Sequence, residues 1–185
     1  MTTSAAIRKT IVTALTGTTS AGEKVSSPWD WTIPSDAYPH ILVRNPDESK
    51  ESWGPNAPAF TATATIEIIA RTKAPADLDD AGSTTALGDV ECLKHEIESQ
   101  LINNPALWQI GVQEFKSLHS RMSTSSEGDM PIAEAHITME LVFVQTPDDF
   151  FPIPSVPIEN FTGTIPEPDG TVEPTFSITF PNPIS

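Results

Sequence analysis

The sequence is poor in cysteine, in basic residues and in long apolar runs, and each shortage excludes a class of protein. Cys92 is the only cysteine among 185 residues, so no disulfide can form within the chain and a reducing cytoplasm is the expected place of synthesis. Only 10 Lys and Arg oppose 25 Asp and Glu, for a net charge of −15, which excludes a surface that grips nucleic acid phosphates. No run of about 18 apolar residues predicts a membrane span.

Proline and charge divide the chain into two parts near residue 146. Residues 147–185 hold half of the 18 prolines and no Lys or Arg, and such a segment cannot make a long helix or a central strand. We therefore predict a domain over 1–146 and an extended, Pro-rich, acidic arm over 147–185. The alternation of Thr175 to Phe180 predicts one hairpin in the arm, with Glu167 to Gly170 as its turn.

The core of the domain is predicted to be one helix between two strands. Apolar residues recur every three or four positions between Thr84 and Leu101, which places them on one face of a helix. Residues 60–71 and 132–145 alternate between apolar and polar side chains, as strands with one buried face do. These three segments are expected to pack together.

The remaining elements complete an α+β fold. Residues 4–15 are predicted to form a first helix, residues 40–44 a short strand stopped by Asn45-Pro46, and residues 110–118 a further strand followed by a loop over 120–130. The predicted architecture is a mostly antiparallel four-stranded sheet with two helices packed on one face, plus the extended arm.

No catalytic, cofactor-binding or metal-binding residue is predicted, and the protein is not expected to be an enzyme. The histidines lack the spacing of a metal site; they are His40, His95, His119 and His136. The acidic run at Asp77, Asp79 and Asp80 lacks the glycine and closing Glu of a calcium loop, so it is interpreted as a solvated turn.

The candidate interface residues are aromatic side chains outside the periodic core and one thiol. Trp29, Trp31 and Trp53 lie in polar loops, where they either cap their own sheet or anchor a partner protein. Cys92 falls about 200° around its helix from Val90, so it is either a surface thiol or a residue covered by another subunit. The arm contributes Phe150, Phe151, Phe176 and Phe180.

The order and texture of these segments over residues 4–146 resemble the tail terminator and tail-completion proteins of long-tailed bacteriophages. The resemblance is carried by a first helix (RKTIVTALTG), a Trp/Pro loop, a strand with an acidic break (HILVRNPDES) and a strand ending in IEIIARTKA. An acidic turn and helix follow (DLDDAGSTTALGDVECLKHEIESQL), and the last strand, IAEAHITMELVFVQT, ends in Thr146. The Pro-rich arm departs from the compact pattern of that family.

The resemblance implies a structural virion protein made in the cytoplasm of a bacterial host. It implies a ring of six copies that caps the tail tube, stops its polymerisation and offers a surface to the neck. The implied partners are further copies of the chain, the tail tube protein, a neck or head-completion protein, and DNA that passes through the lumen without specific binding. Neither a cofactor nor a membrane is implied.

Two alternatives stay open at this point. One is another neck component, such as a head-closure or tail-joining protein, which is distinguished by binding the portal side instead of the tube. The other is a small hydrolase or metal-dependent enzyme whose site is not legible in the sequence. Metal analysis and alanine variants of the four histidines address it, because retained assembly without bound metal would exclude the enzyme.

Overall fold

The computed structural model describes residues 2–27, 37–55, 59–75, 81–127, 130–150, 160–164 and 175–179. The helices are α1 (Ser4–Leu15), α2 (Ala81–Leu101), α3 (Pro105–Gln109) and α4 (Pro147–Phe150). The strands are β1 (Val25–Ser26), β2 (His40–Ser52), β3 (Phe60–Lys73), β4 (Val112–Glu127), β5 (Met130–Gln145), β6 (Asn160–Thr164) and β7 (Thr175–Thr179). The predicted α+β class is confirmed. The chain divides into two compact units, residues 1–150 and 151–185.

The main sheet has five strands in the order β1-β2-β3-β5-β4, so the prediction of a mostly antiparallel four-stranded sheet is wrong in the number of strands. The additional strand is β1, whose Val25 and Ser26 pair in parallel with Ile41 and Leu42 of β2. A strand of two residues is too short to show any alternation in the sequence. The other neighbouring pairs are antiparallel.

β3 and β5 exceed their predicted bounds by two residues each. Two other strands are much longer than predicted, and in both cases the extra length lies at an edge of the sheet. β2 continues beyond Asn45-Pro46 to Ser52 because an irregularity between Arg44 and Asp47 accommodates the proline. β4 runs to Glu127, so the loop predicted over 120–130 is wrong. From His119 to Ser125 it lacks apolar alternation, because the side chains on both of its faces are exposed there.

Both long helices contribute to one apolar core on the same face of the sheet. α1 buries Ile7, Ile11 and Leu15, and α2 buries a stripe that includes Val90, Leu93 and Ile97. The helix ends follow the local sequence. The side chain of Thr3 accepts the N–H of Ala6 at the start of α1 (3.1 Å). Gly17, just beyond its end, has the positive φ of 71° that glycine tolerates best.

The arm contains a separate two-stranded sheet, which confirms the predicted hairpin pairing. β6 and β7 are antiparallel, with Asn160 opposite Thr179 and Thr164 opposite Thr175. The predicted turn at Glu167 to Gly170 lies outside the described residues. None of the helices that the structure describes is long and apolar enough to cross a membrane.

Candidate functional site

The face of the sheet opposite the two long helices carries a network of charged side chains beside a few buried apolar residues. Arg71 of β3 and Glu134 of β5 are register partners, and Arg71 Nε lies 2.5 Å from Glu134 Oε1. His136 Nε2 lies 3.1 Å from Glu134 Oε2, and His136 Nδ1 lies 3.7 Å from Glu67 Oε1. The imidazole is thus held between two carboxylates, which fixes its position on the sheet.

A cavity of about 350 Å³ lies on this polar face, toward the β4 edge. Its basic side chains come from His119, Arg121 and His136, and Glu67 supplies a carboxylate. The register places Arg121 directly opposite His136, and His119 opposite Thr138. These side chains can donate hydrogen bonds to carboxylates or to a polar backbone.

Sequence reasoning missed this grouping because it interpreted residues 120–130 as a loop. The signal that was present is the spacing of His119, Arg121 and Ser123 at every second position, which is the period of one face of a strand. No sequence pattern, however, shows which residue of β5 each of them faces, since that depends on the register of the hairpin.

The four histidines occupy different environments. His40 is only 2 % exposed, and its Nε2 lies 2.8 Å from the hydroxyl of Ser26, which links β2 to β1. Burial lowers the pKa of the His40 imidazole, and the positive charges of Arg71 and Lys24 lower that pKa further. Its burial and its hydrogen bond to Ser26 make His40 a structural residue of the sheet. His95, in contrast, is exposed on α2.

One end of the sheet exposes aromatic side chains, two of them among the predicted interface residues. Trp53 is 61 % exposed and its Nε1 donates a 2.9 Å hydrogen bond to the hydroxyl of Thr61. Phe150 is 47 % exposed; its ring centre lies 5.8 Å from that of Phe60, in an edge-to-face arrangement, and 5.4 Å from Lys50 Nζ. Trp53 and Phe150 are held in place by their own domain while much of their surface faces solvent.

A third exposed aromatic side chain was not among the predictions. Trp108 of α3 is 39 % exposed, and its ring centre lies 5.6 Å from that of Phe115 on β4. The Asn104 side chain caps α3 by accepting the N–H of Ala106, which presents Trp108 on a single helical turn. The Asn-Pro pair that ends α2 was the available signal, since it also has the composition of a new helix start.

The other predicted interface residues are placed as follows. Cys92 is exposed on α2, where it lines a second cavity of about 230 Å³ together with Tyr38, Asp89 and Glu96. Phe176 belongs to β7, of which the strand pairing is described. Trp29, Trp31, Phe151 and Phe180 lie outside the described residues.

Comparison with known proteins finds no family model that matches the chain and no curated protein with significant similarity to it. Within the described ranges, no group of three or more His, Cys, Asp or Glu side chains is arranged to hold a metal ion. The candidate surfaces are therefore the polar face around His136 and the aromatic end around Trp53 and Phe150.

Proposed function

We propose that this protein is a structural component of a phage virion, which assembles into a ring on the tail tube, stops tube polymerisation and joins the tail to the neck. The observation that carries the proposal is the exposed aromatic end of the sheet, where Trp53 and Phe150 are held by contacts to Thr61 and Phe60. Preorganised, half-exposed aromatic side chains are typical anchors of protein interfaces.

Ring closure needs two different surfaces on each copy, because a head-to-tail contact joins one patch to another on the next subunit. The aromatic end around Trp53 and Phe150 is one such surface. The polar face with His119, Arg121 and His136 is chemically different and lies toward the edge formed by β4. The domain thus offers two unlike patches.

The charge of the chain supports a position around a DNA channel. With a formal net charge of −15, the wall of a ring repels the phosphate backbone, so DNA can pass through without being bound. The tail tube protein on one side and a neck or head-completion protein on the other are the partners that such a ring requires.

The direct test of assembly is negative-stain electron microscopy of the purified full chain, with a Trp53→Ser/Phe150→Ser double variant beside it. We expect uniform rings from the parent chain and mostly single copies from the variant, because the variant removes the aromatic anchors. Met130→Ser is the matched control, since Met130 is 46 % exposed but belongs to the opposite end of β5. Circular dichroism checks that all three proteins fold.

The test of the tail function is polymerisation of the tail tube protein in the presence of the ring. Tubes should stop growing and carry a ring at one end when the parent chain is added, and should grow freely with the double variant. A parent chain that stays monomeric and leaves tube growth unchanged would contradict the proposal. Rings that bind the portal side instead of the tube would assign the protein to the head-closure alternative.

A further inference from the structure

The two edges of the main sheet differ in how well they are protected against pairing with another strand. β1 pairs only with Ile41 and Leu42, so the rest of β2 forms one edge. That edge contains Pro46, a register irregularity and the charged residues Asp47, Glu48, Lys50 and Glu51. Proline, bulges and charges are the features by which natural proteins block edge-to-edge pairing.

The β4 edge lacks most of these protections. From Ser117 to Glu127 it pairs with β5 in unbroken register and contains no proline. Arg121 is the only Lys, Arg, Asp or Glu between Ser117 and Ser125. In the part of the chain that the structure describes, no strand pairs with the outer side of β4. Its outward N–H and C=O groups are thus available to a further strand.

The two faces of the β4 edge have opposite character. Leu118 and Met122 are register partners of the buried residues Met139 and Ala135, so they lie on the core face of the sheet. His119 and Arg121 pair with Thr138 and His136 and lie on the polar face. Met122 is 41 % exposed on the apolar side. A strand that continues the sheet must therefore alternate between apolar and polar residues.

The hairpin in the arm has this alternation. The register pairs Phe161 with Ile178 and Gly163 with Phe176, and in the sequence these positions alternate with hydroxyl and amide residues. The alternating polar positions are Asn160, Thr162, Thr164, Thr175, Ser177 and Thr179. An isolated two-stranded hairpin with one apolar face is marginally stable, and it gains stability when a third strand joins it.

We propose that the β6–β7 hairpin of one copy adds to the β4 edge of a second copy and extends its sheet. The hairpin's apolar face then continues the side of Leu118 and Met122, and its hydroxyl face continues the side of His119 and Arg121. β4 as a whole balances Lys116 and Arg121 with Glu114 and Glu127. Between Ser117 and Ser125, however, Arg121 is the one charged residue, and residues 147–185 carry Asp and Glu but no Lys or Arg, so charge does not oppose the pairing along this stretch. The inference rests on the proposed self-assembly and identifies the two surfaces through which neighbouring copies make contact.

The exchange between copies follows from the requirements of a ring. A contact between the arm of one copy and the sheet edge of the next is heterologous, so it can be repeated around a closed circle. The arm also adds reach, because proline-rich segments stay extended and lose little conformational entropy when they are ordered.

The test is cross-linking between two differently tagged full-length chains, both with Cys92→Ser. One chain carries Ser123→Cys on the polar face of β4, and the other carries Ser177→Cys in β7. After mixing and treatment with a short bismaleimide, we expect a cross-linked heterodimer of the two tagged chains. A Ser99→Cys chain is the control, since Ser99 lies on the exposed side of α2 and should give no product with Ser177→Cys.

Two variants probe the chemistry of the contact in the same assay. Met122→Lys should lower the yield of heterodimer about tenfold, which corresponds to a loss of about 1.4 kcal/mol. Ile102→Lys, at an exposed position one residue beyond α2, should not lower it. Arg121→Glu should lower the yield because it repels the acidic arm, and Lys9→Glu makes the same charge change on an exposed residue of α1 without that effect.

The outcomes separate this inference from the proposed function. Rings without the heterodimer would overturn the inference and leave the ring function standing. Heterodimer in open chains without rings would support strand exchange and overturn the ring function. A cross-link that forms only within a single chain carrying both cysteines would show that the hairpin docks on its own domain, which also overturns the exchange.

Discussion

The hydroxyl of Thr72 on β3 donates a 2.7 Å hydrogen bond to the backbone carbonyl of Ala86 in α2. Both residues are buried, with Thr72 4 % and Ala86 0 % exposed. The bond fixes the position of the central helix along the central strand. A polar side chain on the apolar face of β3 is thereby satisfied without water.

Replacing Thr72 by valine should lower the free energy of unfolding by about 0.5–1.5 kcal/mol, because the shape is kept and one buried hydrogen bond is lost. Urea denaturation monitored by circular dichroism measures the change. Thr63→Val on the opposite face of the same strand is the matched control and should have a smaller effect. Equal stability of the parent and Thr72→Val would mean that the bond does not help to hold α2.

The packing of α2 on the sheet should make Ile97 one of the most sensitive positions of the helix. Ile97 is fully buried, so Ile97→Ala removes apolar contacts and leaves a cavity, with an expected loss of about 2–5 kcal/mol. Ile102, one residue beyond the helix, is 54 % exposed, and Ile102→Ala should change stability by less than about 0.5 kcal/mol. Similar losses for both variants in urea denaturation would contradict the described orientation of α2.

The environment of His40 predicts a stability that depends on pH. The pKa of His40 is lowered from 6.5 in the folded protein. At a pH between the two pKa values, the unfolded chain therefore binds a proton at His40 that the folded chain does not. Stability should therefore be highest above pH 6.5 and should fall as the pH drops toward the lowered pKa. Denaturation of the parent and His40→Gln across this range measures the contribution, and the variant should lack this part of the pH dependence. An unchanged slope in His40→Gln would assign the effect to other groups.

The pair between Arg71 and Glu134 is expected to contribute modestly to stability and to respond to salt. Both side chains are partly exposed, at 29 % and 22 %, so Glu134→Gln should cost about 0.5–1 kcal/mol at low ionic strength and less at high salt. Glu98→Gln, which removes the Lys94–Glu98 pair within α2, should cost about 0.3–0.5 kcal/mol. A loss for Glu134→Gln that is no larger than that for Glu98→Gln would show that His136 and Arg71 do not depend on this carboxylate.

The parts of the fold with a buried face were legible in the sequence, because burial imposes a period on the apolar residues. The stripe of α2 and the alternation of β5 located the core correctly. β4 beyond Leu118 was missed since residues 119–125 are exposed on both faces and nothing selects apolar residues there. β2 beyond Pro46 was missed because an edge strand tolerates a proline that a central strand does not.

A candidate surface could be predicted from the sequence only where a single exposed residue identifies it. Trp53 and Phe150 could be named from their type and their position outside the periodic core, and both are exposed. The neighbourhood of His136, Arg121 and Glu67 joins residues from three strands, so it exists only once the register is known. Trp108 was overlooked because α3 spans one turn and leaves no periodic trace.

Cys92 gives the protein a chemical reporter at a unique position. A thiol-specific dye attaches once per chain, so stepwise photobleaching of a labelled particle counts its copies without any engineered residue. The rate of labelling adds a second reading, since a thiol that reacts quickly in single copies and slowly in particles has been covered by a neighbour. Because Cys92 is the only cysteine of the sequence, its labelling rate shows whether it is a surface thiol or part of a subunit contact.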